Sequence, residues 1–325
     1  MTSGSPPLYG PDATHIRIRV ERAIAANRIP GFHFPGHLLA FRWPAFARDR
    51  AVIELPDGPH VRNAAGEIDR TVLAVVADTA VSTATRHAVA EGARLATIHL
   101  HMQFTAAPVR GDIVAEATPR GAGAGTGVAS WLGAATLKAC GEPVCYVTGE
   151  FLHLEPPPGV KLAPLPWQRS ESDATGPIDE DRLTESERAV LAAADLALER
   201  ASPETPFIEQ LWGGEREPAP KDEEGARRRL AIGPHVGNRV GHVQGGILLG
   251  IAMATACDAA PASMSLANVS AWYVRPGRGD SLVVRSRAVH VGRMTAMVQT
   301  QVTCTDGSVA LEVVTQHVLR NERSA

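Results

Sequence analysis

Gln244, Gly245 and Gly246 stand at the head of the apolar run GGILLGIAMATACDA, and Asn238 lies seven residues before Gly245. Glycine is about 1 kcal/mol worse than alanine inside a helix, so two in succession at a helix entry need a reason. Close packing against another element is one. The other is chemical. A helix start presents backbone N–H groups at the positive end of its dipole, where they hold an anion or a developing oxyanion. Glycine leaves those groups bare. The amides of Asn238 and Gln244 beside them favour the chemical use.

The run belongs to a unit that occurs twice. Asn63-Ala-Ala-Gly66 precedes DRTVLAVVADTAVSTA, as Asn238-Arg-Val-Gly241 precedes QGGILLGIAMATACDA. After each predicted helix comes an alternating strand, ATIHLHMQF or LANVSAWYV, and then a Gly-Asp pair, Gly111-Asp112 or Gly279-Asp280. IVAEA, GVASWLGAATL and GEPVCYVTGEFLHL follow in the first copy; LVVRSRAVHV, TAMVQTQVTC and GSVALEVVTQHVL follow in the second. Alternation and β-branched content predict strands throughout. One long helix against such strands is an α+β arrangement. The predicted organisation is an N-terminal extension over 1–45, a first unit over 46–155, a linker and inserted helix over 156–205, and a second unit over 206–325. The linker begins as the proline- and serine-rich stretch 155–181. Thr184 and Glu187 form a capping-box pattern for the inserted helix. A polar loop is expected at GGEREPAPKDEEG, and a hairpin at GAGAGTG (Gly121–Gly127), which fails the nucleotide-loop pattern G-x-G-x-x-G.

Composition narrows the function classes. The chain has 325 residues, is 44% hydrophobic, and carries a net charge of −3 with no run of Lys or Arg. Nucleic-acid and anionic-membrane partners are therefore not expected. Four cysteines without zinc spacing predict free thiols and a cytoplasmic setting. No signal peptide or transmembrane run is visible. His99 and His101 lie two apart on a strand and share a face, but no third ligand accompanies them, so no metal or cofactor is expected. No G-x-S-x-G motif is present.

VLAVVADTAVSTA, NRVGHVQGG, YVRPGRGDSL and the Gly292-Arg293 pair resemble the hotdog-fold acyl-CoA thioesterases of the phenylacetate-pathway and 4-hydroxybenzoyl-CoA types. The resemblance spans roughly 50–154 and 227–319. It implies two tandem hotdog units forming an intrachain pseudo-dimer, with sites between them. In such enzymes one unit supplies the helix start that holds the thioester oxygen, and the other supplies a mid-helix carboxylate and a strand hydroxyl. Counting eight residues from Gly245 reaches Met253, and the same count from Arg70 reaches Asp78. The second copy thus has the glycines without the acid, and the first has the acid with Arg70-Thr71 in place of the glycines. The hydroxyl falls at Thr97 in the first copy, and at Leu266 or Ser265 in the second. Pairing Asp78 with Gly245 leaves one complete site; pairing Arg70 with Met253 leaves a dead one.

The roles that follow from the resemblance are these. The Gly245 N–H polarises the carbonyl, and Gly246 lets the backbone approach closely. Asn238 holds the carbonyl or orders its loop, and Gln244 positions water or carbonyl, or is a structural amide. Asp78 is the general base, or else a nucleophile. Thr97 holds water or orients Asp78, or is only a strand residue. Arg275, Arg278 and Arg293 are candidates for the phosphates of CoA. The expected partner is an acyl-CoA or acyl-carrier-protein thioester, in a homo-oligomer built as a dimer of double hotdogs. A non-catalytic acyl-CoA-binding protein and a hotdog hydratase or dehydratase are the competing readings.

Overall fold

The computed structural model describes residues 11–86, 94–123, 130–154, 163–165, 178–218 and 225–320. Most of GAGAGTG, most of the 155–181 linker and six residues of the 213–225 loop lie outside the described residues.

Two helices form the centre. α3 (Arg70–Thr85) carries Val, Ala and Thr on every face, and nearly all of its side chains are buried. α6 (Gly245–Ala259) is equally apolar. A helix apolar all round must be enclosed by other elements, and here each helix packs on the other and on the strands around it. The strands are β1 (Arg42–Ala47), β2 (Arg50–Leu55), β3 (Arg94–Phe104), β4 (Ile113–Ala122), β5 (Ser130–Ala139), β6 (Glu142–Leu154), β7 (Glu215–Glu217), β8 (Ala226–Ala231), β9 (Met264–Tyr273), β10 (Ser281–Val291), β11 (Thr295–Cys304) and β12 (Val309–Leu319). They form one sheet in the order β1-β2-β4-β5-β6-β3-β9-β12-β11-β10-β8-β7. The seam is the antiparallel pair β3–β9, in which His99 faces Trp272 and Gln103 faces Asn268. Outward from it, β6-β5-β4-β2-β1 and β12-β11-β10-β8-β7 repeat the same succession.

The two helices are also entered alike. Gly58-Pro59-His60-Val61 and Gly233-Pro234-His235-Val236 each make a single 3-10 turn five residues ahead of the loop asparagine. Asn63 Oδ1 accepts hydrogen bonds from the Ala65 and Glu67 N–H groups at 2.9 and 3.1 Å. Asn238 Oδ1 accepts from Val240 and His242 at 3.0 and 3.1 Å. Gly66 and Gly241 follow at φ +71° and +82°, a region costly for any residue with a Cβ. Then come the caps. Asp69 accepts from the Thr71 N–H at 2.7 Å, and Gln244 Oε1 from the Ile247 N–H at 2.9 Å.

The N-terminal stretch predicted only as an extension holds two helices, α1 (Pro11–Asn27) and α2 (Phe34–Leu38), and β1 begins at Arg42. Ile16, Val20, Ala23 and Ile24 give α1 a buried stripe at helical spacing. α1 packs on α4 (Glu185–Arg200), the inserted helix, whose Thr184–Glu187 capping box is complete. α5 (Phe207–Trp212) joins α4 to the second half of the sheet. Among the described residues no helix is long and apolar enough to cross a membrane, and no three His, Cys, Asp or Glu side chains cluster to hold a metal. The four cysteines are free thiols. His101 Nδ1 meets Ser270 Oγ at 2.7 Å, and the His99 ring lies 5.4 Å from that of Trp272.

Candidate active site

Asp78 occupies the middle of α3, buried, where α6 begins. Thr97 Oγ1 on β3 donates to its Oδ1 at 2.7 Å, and Gln244 Nε2 donates to its Oδ2 at 2.9 Å. Gln244 therefore does two things: its carbonyl caps α6 and its amide holds the carboxylate. Burial pushes the Asp78 carboxyl up to about 6, against the pull of Thr97, Gln244 and the Gly246 backbone N–H. Such a value suits a base that works near neutrality.

Gly245 and Gly246 turn out to serve different purposes. A Cβ on Gly245 would lie 3.0 Å from Asp78 Oδ2, so a side chain there would crowd the carboxylate. Gly245 lines the cavity, and among the described residues its N–H has no hydrogen-bond partner. A Cβ on Gly246 would lie 2.4 Å from Val75 Cα, and one on Gly250 2.2 Å from Thr71 Cγ2. Close approach at Gly246 is thus between α6 and α3, and Gly246 does not line the cavity. Close packing accounts for Gly246, whereas Gly245, one residue away, lines the cavity beside the carboxylate.

The cavity has a volume of about 360 Å³ and is lined by both halves of the chain, Asp78 and Thr97 from one, Asn238, Gln244, Gly245 and Arg275 from the other. The Asn238 side-chain oxygen is engaged by loop amides, as in Asn63 of the first copy. Arg275 is exposed at the cavity wall, whereas Arg293 sits in the β10–β11 turn outside it.

At the opposite pairing, Arg70 Nη1 lies 3.6 Å from Cys257 Sγ and Met253 is fully buried. A β-bulge settles the strand equivalence that the sequence left open. Register shifts between Thr97 and His99 on β3, where Thr97 faces Phe151, and correspondingly between Leu266 and Asn268 on β9, where Leu266 faces His317. Thr97 matches Leu266, not Ser265, and the second copy offers no hydroxyl at that place.

Several cavity residues escaped sequence reasoning. Tyr273, at the end of β9, donates its hydroxyl to the Gly245 carbonyl at 3.0 Å and is itself half-buried. Phe32 and His33 reach the cavity from the N-terminal stretch, and Arg86, Arg94 and Arg239 also line it. The repeated Gly-Pro-His-Val was a legible signal of where each helix entry begins. The arginines had none, since they come from three separate segments. Removing the Tyr273 hydroxyl should loosen the first turn of α6: Tyr273→Phe is expected to cost about 1 kcal/mol of stability, measured by urea unfolding.

No family model and no curated protein matches this sequence. Solved structures do. The chain superimposes on a putative oleoyl thioesterase from Lactobacillus plantarum with a TM-score of 0.51 and 13% identity, covering 85% of this chain and 98% of that one. A hot dog fold protein of unknown function from Alicyclobacillus acidocaldarius gives 0.51 at 12%, covering 86% and 96%. A 12:0-ACP thioesterase from Umbellularia californica gives 0.50 at 10%, covering 83% and 94%. The long helices enclosed by one antiparallel sheet are the hotdog fold, shared with thioesterases of known structure.

Proposed function

We propose that this chain is a thioesterase that hydrolyses an acyl-CoA or acyl-carrier-protein thioester at one site between two fused hotdog units, an intrachain pseudo-dimer. The observation that carries the reading is the meeting of a raised-pKa carboxylate with an open helix start: Asp78, held by Thr97 and Gln244, beside the Gly245 N–H in one cavity. The thioester carbonyl oxygen rests on the Gly245 N–H, where negative charge grows as water attacks. Asp78 takes a proton from that water as its oxygen bonds to the carbonyl carbon. Collapse of the tetrahedral intermediate breaks the C–S bond, and the proton held by Asp78 passes to the departing thiolate. Thr97 and Gln244 keep the carboxylate oriented. Arg275, exposed at the cavity wall, serves the CoA side.

The test is release of free thiol from short, medium, long and aromatic acyl-CoAs. Turnover by the native chain and its loss in Asp78→Asn support the reading. Turnover unchanged in Asp78→Asn would remove Asp78 from the chemistry; no turnover of any thioester would leave a binding protein. One control concerns the other pairing. Met253 is buried, so Met253→Ala would open a cavity; Met253→Leu conserves volume and is expected to retain turnover within about threefold, as a dead second site requires.

A further inference from the structure

We infer that the Phe32 ring is the end wall of the acyl pocket, so that the chain accepts short- and medium-chain acyl thioesters and excludes long ones. This rests on the thioesterase reading and names its substrate class. A second cavity, of about 680 Å³, adjoins the active-site cavity of about 360 Å³. Phe32, His33, Asn238 and Arg239 line both and so stand between them. The linker crosses the same boundary. Buried Leu165 lines the first cavity, and Ala163, two residues before it, lines the second. Two residues span at most about 7 Å, so the two linings come that close there.

The residues of this partition are held differently. Asn238 Oδ1 is engaged by its own loop, and His33 Nδ1 accepts from the Gly36 N–H at 3.0 Å as the cap of α2. Phe32 is the bulky apolar member, and its ring is braced on several sides. It stacks on His33 with centroids 4.3 Å apart, meets His37 and Trp43 edge-on at 5.3 Å each, and lies 6.5 Å from Phe41. Such pairings add to the stability of one ring position. A Cβ on Gly36 would overlap the Phe32 ring, which therefore fills the space that glycine leaves open. Gly31, at φ +123°, lets the backbone turn just before it. A ring so fixed is a wall rather than a flap.

Polarity sets the direction of the acyl chain. Val274, Arg275 and Pro276 are exposed at the rim of the first cavity, and the phosphates of CoA need that hydrated side. The acyl tail takes the apolar course, among buried Val243 and Leu248, with Phe32 at its end. Beyond the ring, Pro30, Phe34, Ile232 and Pro234 line the second cavity, which would take further methylenes if the wall were removed.

The probes are hexanoyl-CoA and dodecanoyl-CoA, read as release of free thiol. The native chain is expected to favour hexanoyl-CoA in kcat/KM by roughly ten- to hundredfold, the discrimination that overpacking a fixed pocket gives. In Phe32→Ala the ratio of dodecanoyl-CoA to hexanoyl-CoA kcat/KM should rise by a similar factor. Phe32→Leu, smaller than the native ring but still apolar, should fall between, and it decides the matter if urea unfolding shows the alanine variant unfolded. A native chain whose kcat/KM does not fall by dodecanoyl-CoA, or a ratio that neither variant moves, overturns the wall and leaves the thioesterase reading intact. Equal losses on both substrates assign Phe32 to the CoA arm or to folding alone, and also overturn it. If no thioester is turned over, the function fails. Dodecanoate binding that is tighter in Phe32→Leu than in the native chain would then still support the wall, and equal or absent binding would overturn that as well.

Discussion

Asp78→Asn is expected to lower kcat by about 10³-fold, within the range typical of a lost general base, and at the same time to stabilise the fold at neutral pH. The two effects share one cause. Burial raises the Asp78 carboxyl from 3.8 to about 6, so the folded chain holds this proton more tightly than the unfolded chain does. Its stabilising effect is fully present below about pH 4 and is lost as pH rises through about 6. Above that, the ionised carboxylate opposes folding by about 3 kcal/mol, taking 1.36 kcal/mol per pKa unit. Asparagine cannot ionise. Urea unfolding should therefore show Asp78→Asn more stable than the native chain at pH 8, with the difference vanishing near pH 4. Activity should move the opposite way: kcat/KM of the native chain rises through about pH 6 to a plateau, as the base becomes ionised. A variant with unchanged turnover, or a flat profile from pH 5 to 8, would refute the role given to Asp78.

Gly246→Ala is expected to destabilise the chain by roughly 3 kcal/mol, at the upper end for an overpacked site. The added Cβ would lie 2.4 and 2.5 Å from Val75 Cα and N and 2.6 Å from the Ala74 carbonyl oxygen. These are backbone atoms of a buried helix, with no rotamer to give way. α6 would have to move off α3, and the gap would pass to the Gln244–Asp78 contact two residues earlier. A lower urea midpoint with an unchanged slope reports the stability loss; kcat should fall with it, because helix separation draws the Gly245 N–H and Gln244 away from Asp78. Gly245→Ala makes the contrast. Its Cβ meets only the carboxylate at 3.0 Å, so its main expected effect is on turnover rather than on the urea midpoint.

Much of this was legible in the chain because local rules wrote it. The apolar runs of α3 and α6, the alternating strands and the Thr184–Glu187 box declare themselves through periodicity and short-range hydrogen bonding. So did the complementary losses, an acid without glycines and glycines without an acid, since both copies keep one spacing from asparagine to helix. The N-terminal helices were less visible: α1 has a buried stripe of only four residues among many polar ones.

What the sequence by itself determined was therefore the two central helices, the inserted helix, the strands β3 to β6 and β9 to β12, and the inventory of reactive groups on them. Only the tertiary structure decided which groups meet. Gln244 and Asp78 are 166 residues apart, and their contact depends on the helix crossing that Gly246 and Gly250 permit. The bulge after Thr97 sets which β3 side chain reaches the carboxylate. Tyr273 and the three arginines converge from separate segments with no common period. Helix and strand patterns follow from interactions a few residues apart, whereas these distances follow from how buried surfaces fit together, and no spacing along the chain records that fit.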